Sequence, residues 1–165
     1  MRVSPMLVPL FLLPAPVSMV RACWNPPVVA AVAEPFRAPA CTWCAGNRGI
    51  EYATEPGDAV HAVAAGQVSF AGEVAGTRYV VVRDLDGLRV TYGNLAEVMW
   101  RAGDTVVAGV LIGRAEGHVH IGVRRGDEYI DPGPMFGELV GVARLVPTGG
   151  EPAAAVSPSR LRCPG

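Results

Sequence analysis

Residues 78–92 read Arg78-Tyr79-Val80-Val81-Val82-Arg83-Asp84-Leu85-Asp86-Gly87-Leu88-Arg89-Val90-Thr91-Tyr92. Two runs rich in β-branched residues flank Asp86-Gly87, a dipeptide that accepts the positive backbone angles of a tight turn, so the segment predicts a β-hairpin. The same pattern extends in both directions. Short runs at Ala59 to Ala64, Gln67 to Ala71, Thr105 to Val107, Val110 to Gly113, His118 to Arg124 and Glu128 to Asp131 are separated by Gly and Asp, with a second turn signal at Gly126-Asp127. No stretch has convincing helical periodicity. The expected fold is mainly β, an antiparallel sheet or barrel-like hybrid of short strands with few or no helices.

The 165 residues have room for one ordinary domain with a leader and a tail. Half the residues are hydrophobic and 18% are charged, enough to build a core and too little charge for a disordered chain. A formal net charge of −1 provides no field to attract phosphate backbones or an anionic membrane, which argues against nucleic acid as a partner. The fourteen basic residues are all Arg.

Residues 1–22 read as a secretory leader, with Arg2 followed by the apolar run Met6 to Leu13. Pro14, Pro16 and Arg21 cut that run short of the roughly 20 apolar residues of a membrane span. The expected location is therefore outside the cytoplasm, secreted or in the cell envelope. A cut before Cys23 would expose that cysteine to lipidation, but Arg21 stands where a lipoprotein leader carries a small neutral residue. Residues 23–46 form a Pro-rich extended arm containing Cys41-Thr42-Trp43-Cys44. Residues 47–146 are the expected β domain and 147–165 a flexible tail rich in Gly, Pro, Ala and Ser.

In an oxidising compartment four cysteines tend to pair, and three pairings are possible. One closes the short Cys41–Cys44 loop and leaves Cys23 and Cys163 to tie the ends of the mature chain together. A thioredoxin-like role is disfavoured because Pro39 precedes the pair and Ala45-Gly46-Asn47 follows it, where a helix should open. A structural zinc site on Cys41, Cys44 and a His is permitted by spacing, with disulfides preferred. Trp43, Tyr52, Tyr79, Tyr92 and Trp100 are expected in core or interface packing.

The strongest chemical signal is His118-Val119-His120, where residues two apart on a strand face the same side. By itself the pair is a weak metal signal. His61, between Val60 and Ala62, is most simply a strand residue facing solvent.

The surrounding motifs add context. Asn47-Arg48-Gly49-Ile50-Glu51, Pro56-Gly57-Asp58-Ala59-Val60, Ala64-Ala65-Gly66-Gln67-Val68, Tyr92-Gly93-Asn94-Leu95, Gly103-Asp104-Thr105-Val106, Ala108-Gly109-Val110-Leu111-Ile112-Gly113 and His118-Val119-His120, running on to Asp131-Pro132, occur in one order. In order and spacing they resemble the lysostaphin-like zinc endopeptidases that cut peptidoglycan cross-bridges. The resemblance implies zinc held by a His, an Asp four residues on and the second His of His-x-His. The first His of that pair, with a His in a Tyr-x-His-Leu segment, would assist catalysis.

Carried over by position, His120 matches a metal ligand and His118 a catalytic residue. Asn47 and Glu51 stand in place of the ligand His and Asp, and Asn94 in place of the second catalytic His. Glu51 keeps a carboxylate, but a neutral amide is a poor zinc ligand and Asn94 cannot take up a proton near neutral pH. Losing zinc returns the attacking water from a pKa of about 7 to about 15.7, a handicap on the order of 10 kcal/mol. The expectation is a degenerate site with weak zinc binding or none, in a protein that binds peptidoglycan or regulates a cell-wall hydrolase. The alternative is an active zinc endopeptidase in which Glu51, His120 and a further ligand such as His118 complete the metal sphere. Segments Val106-Val107-Ala108-Gly109 and Ile112-Gly113 also resemble biotin and lipoate carrier domains, which is excluded as an activity because the chain has no lysine to modify.

Overall fold

A computed structural model of the protein describes residues 23–41, 43–140 and 160–163. The expected leader and most of the expected tail lie outside them. The strands are β1 Val32–Glu34, β2 Gly49–Tyr52, β3 Ala59–His61, β4 Gly66–Val74, β5 Thr77–Asp84, β6 Leu88–Val98, β7 Thr105–Val106, β8 Leu111–Arg125, β9 Glu128–Ile130, β10 Glu138–Val140 and β11 Arg160–Arg162. A single 3-10 turn, Gly133–Met135, is the helical structure among the described residues.

The hairpin of residues 78–92 forms as β5 and β6, with Val80 opposite Tyr92 and Val82 opposite Val90. Its turn is set by chemistry at both ends. Asp84 Oδ1 accepts hydrogen bonds from the N–H groups of Asp86 and Leu88, at 2.9 and 2.8 Å, and Gly87 takes φ +80°. Nine strands form one open antiparallel sheet in the path β1-β2-β8-β6-β5-β4-β7, with β3 and β9 also pairing β8, and β10 and β11 form a separate two-stranded sheet. Two runs expected as separate strands, Val110 to Gly113 and His118 to Arg124, are one continuous β8. Gly117 and its neighbours, which read as a break, lie in an irregular stretch of that strand where the pairing to β6 shifts register between Gly93 and Leu95.

Alternate residues of these strands point inward. Val60, Val68, Val80, Val82, Val90, Tyr92, Leu95, Ile112, Val119, Ile121 and Val123 fill one core, so the sheet curls over its own inner face. Tyr92 is completely buried, and its hydroxyl accepts the Val63 N–H at 2.9 Å. Burial, the larger effect, pushes that hydroxyl well above its ordinary pKa. The arm joins this core: Trp24 and Val28 are buried, and Trp24 stacks edge-on to Phe136 at 6.0 Å. Cys23 is bonded to Cys163 and Cys41 to Cys44. Trp43 departs from the expected packing, being 94% exposed, because the four-residue loop closed by Cys41 and Cys44 is too short to fold its indole back onto the sheet.

Tyr92→Phe should leave the Val63 N–H without a partner in a dry core, lowering stability by about 1–3 kcal/mol. The check is a lower urea midpoint with an unchanged denaturant slope. In the parent protein the Tyr92 contribution is fully present below the ordinary tyrosine pKa of about 10, because the raised folded-state pKa keeps the hydroxyl protonated. It is lost as pH rises beyond that value.

Candidate functional site

The outer face of the sheet carries the residues not used by the core. On β8 these are His118, His120, Gly122 and Arg124, alternating with buried Val119, Ile121 and Val123. Register then fixes their neighbours: Glu51 and Gly93 lie opposite His120, and Gly49 and Thr91 opposite Gly122. Together these rows form a cleft of about 400 Å³ lined by Arg48, Glu51, Tyr79, Thr91, Asn94, His120, Gly122 and Tyr129.

At its centre Glu51 and His120 touch. Glu51 Oε1 accepts a hydrogen bond from the Nδ1–H of His120 at 2.5 Å, with both side chains about three-quarters buried. The imidazole sits beside two glycines. A Cβ on Gly49 would come within 2.8 Å of His120 Nε2, and one on Gly122 within 3.0 Å, so side chains at either position would displace the ring. Gly93 plays the same part for Tyr79, whose Cε1 lies 2.8 Å from where a Cβ would stand.

The other positions carried over from sequence are placed differently. Asn94 lines the cleft at φ +60°, a left-handed conformation that Asn tolerates better than most residues, and its Nδ2 donates to the His118 carbonyl at 2.9 Å. The His118 side chain is exposed and is not part of the cleft lining. Asn47 is buried but turned toward the arm: its Nδ2 donates to the carbonyls of Pro35 at 3.1 Å and Glu34 at 3.4 Å. Its backbone exchanges two further hydrogen bonds with Arg37, each 2.9 Å.

These residues do not fit a zinc ion. One imidazole nitrogen of His120 is engaged by Glu51 and the other lies against glycine backbone. The amide nitrogen of Asn47 is spent on arm carbonyls. Among the described residues no three His, Cys, Asp or Glu side chains are grouped so as to hold a metal. Tyr129 and Thr91 were not singled out by the sequence, although strand alternation from His120 and the β6–β8 register would have placed Thr91 beside it. Tyr129 depends on β9 folding back on β8, opposite Arg124.

Residues 45–132 match the sequence model of Peptidase family M23. The chain belongs to that family. An uncharacterized protein of Mycobacterium tuberculosis is 34% identical over 115 residues, covering 62% of this chain and 46% of the relative, so the match spans about half the length of that relative. Helicobacter pylori Csd3 is similar in structure at a TM-score of 0.62 and 26% identity, covering 70% of this chain and 35% of Csd3. The catalytic domain of the antimicrobial peptidase lysostaphin from Staphylococcus simulans gives a TM-score of 0.56 at 20% identity, over 64% of this chain and 90% of that domain. A chain of the SpoIIQ–SpoIIIAH pore-forming complex gives 0.61 at 23% identity, over 70% and 92%. The last two likenesses are of fold. The family read from the ordered motifs is thus the family of the chain.

Asn47→Ala should free the arm from the M23 sheet, speeding hydrogen exchange at the Arg37 and Ala53 amides and lowering stability by about 1 kcal/mol. Asn47→Asp should loosen it further, since a carboxylate there faces two carbonyl oxygens. Exchange measured by mass spectrometry on the oxidised protein checks both.

Proposed function

We propose that this M23 protein acts outside the cytoplasm as a non-hydrolysing peptidase fold, binding peptide strands of peptidoglycan in the cleft around His120. The observation that carries the reading is the direct Glu51–His120 hydrogen bond. The carboxylate at position 51 reaches the imidazole across the strand pair and engages its Nδ1, so the two side chains satisfy each other. Asn47 supports it by serving the arm instead of the cleft. What remains is a trough with hydrogen-bonding groups at Asn94, Thr91 and Tyr79, which suits binding of a peptide.

Two disulfides and the apolar run of residues 6–13 support export. Among the described residues no helix is long and apolar enough to cross a membrane. Peptidoglycan as the ligand is supported by the likeness to the catalytic domain of lysostaphin, an antimicrobial peptidase, and by the ordered motifs, which resemble those of wall endopeptidases. A regulatory role toward a cell-wall hydrolase follows from the same cleft if it competes for, or presents, that hydrolase's substrate.

Oxidised residues 23–165 should retain less than about 0.1 zinc per chain after dialysis, sediment with peptidoglycan sacculi and release no soluble fragments. About one firmly held zinc, lost in His120→Ala and accompanied by hydrolysis of sacculi, would establish instead the active enzyme with a variant metal sphere. The Asn47→His, Glu51→Asp, Asn94→His triple variant is expected to gain zinc relative to the parent.

A further inference from the structure

Beyond the Thr91 and Gly122 end of the cleft lies a row of arginines. Arg83, Arg89 and Arg124 stand directly opposite one another on β5, β6 and β8, and Tyr129 on β9 is the next partner in the row. Strand alternation puts all three on the outer face with His120. The guanidinium of Arg124 lies 4.9 Å from the Tyr129 ring centre, and that of Arg48 lies 5.8 Å from it. Asp127 is the acid that answers this charge: its Oδ1 is 3.0 Å from Arg124 and 3.4 Å from Arg89, on a side chain 98% exposed.

Like charges directly opposite one another across strands destabilise a sheet, and so exposed an ion pair contributes little in return. Three arginines in one row therefore hold a concentration of positive charge that an added anion would relieve. The chain's net charge of −1 makes the concentration local. The row is also in line with the cleft. Arg124 is four residues along β8 from His120, about 13 Å at the usual strand rise, and the intervening row is the low floor of Thr91 and Gly122. An extended peptide of about four residues spans that distance.

We propose that the Arg83–Arg89–Arg124 row, walled by Tyr129 and Arg48, binds carboxylates of a wall stem peptide whose other end lies at Asn94 and His120. Two parallel guanidinium donors match the two oxygens of a carboxylate, and Tyr129 holds the flanking guanidiniums in place. The proposal rests on the cleft being a wall-peptide site and names the chemistry that selects the peptide.

The test is binding of a synthetic stem pentapeptide, labelled at its N-terminus, with its carboxylates free or all converted to amides. The free-acid form should bind at least tenfold more tightly. Arg89→Gln with Arg124→Gln should shrink that preference to within twofold, and exposed Arg83→Gln alone should shrink it about threefold. Equal binding of the two forms, no binding of either, or a preference that survives the double variant would overturn the proposal. Tighter binding of a glycerol phosphate oligomer than of the free-acid peptide would overturn it in favour of an anionic polymer. Sacculus sedimentation run in parallel separates the two levels. Sacculi bound equally by parent and double variant, without a carboxylate preference, would refute the arginine row and leave wall binding standing.

Discussion

Four strands depend on one. β8 runs for fifteen residues and carries hydrogen-bond ladders to β2, β3, β6 and β9, so its alternation of buried and outward residues sets both the core and the outer face. Val119, Ile121 and Val123 bind the sheet to its interior, and the residues between them can point only outward. That geometric obligation is why His120, Gly122 and Arg124 form a line. It is also why a glycine at 122 matters: the His120 ring needs the space a side chain there would take.

The cleft follows from a second constraint, the length of the side chain at position 51. Glu51 sits opposite His120 in the strand register, and its carboxylate spans the gap to the imidazole without help from a third group. A paired carboxylate and imidazole satisfy each other's hydrogen-bonding needs in a half-buried setting, where leaving either alone would be costly. The site therefore closes on itself. Asn47 has likewise found partners in the arm, so a position aligned with metal binding by motif has become a fastening for the segment that precedes the sheet.

Much of this was legible in the sequence, for identifiable reasons. The β5–β6 hairpin declared itself through β-branched runs around Asp86-Gly87, and the ordered motifs from Asn47 to Pro132 pointed to the family. The His118 and His120 pair was readable as sharing a strand face, but only His120 enters the cleft. The irregular pairing between β6 and β8 beside it leaves His118 exposed, a detail of register that local sequence does not encode. β1 went unread because it is three residues long among prolines, and β2 because it is four residues long, and their pairing depends on tertiary contact. The exposure of Trp43 went unread as well, because an indole usually signals burial and the tight loop overrides that preference. The arginine row could not be seen without the register of two hairpins and of the β6–β8 pairing that joins them.

The bond between Cys23 and Cys163 joins residues 140 apart at the two edges of the described chain. Tension applied at those two points runs through the sulfur atoms and leaves the intervening sheet unloaded. Hydrogen-bond ladders peel apart one rung at a time under such a pull, whereas a covalent clasp does not. Under such a pull the fold would behave as a closed loop, able to be tugged at both points without its cleft changing shape.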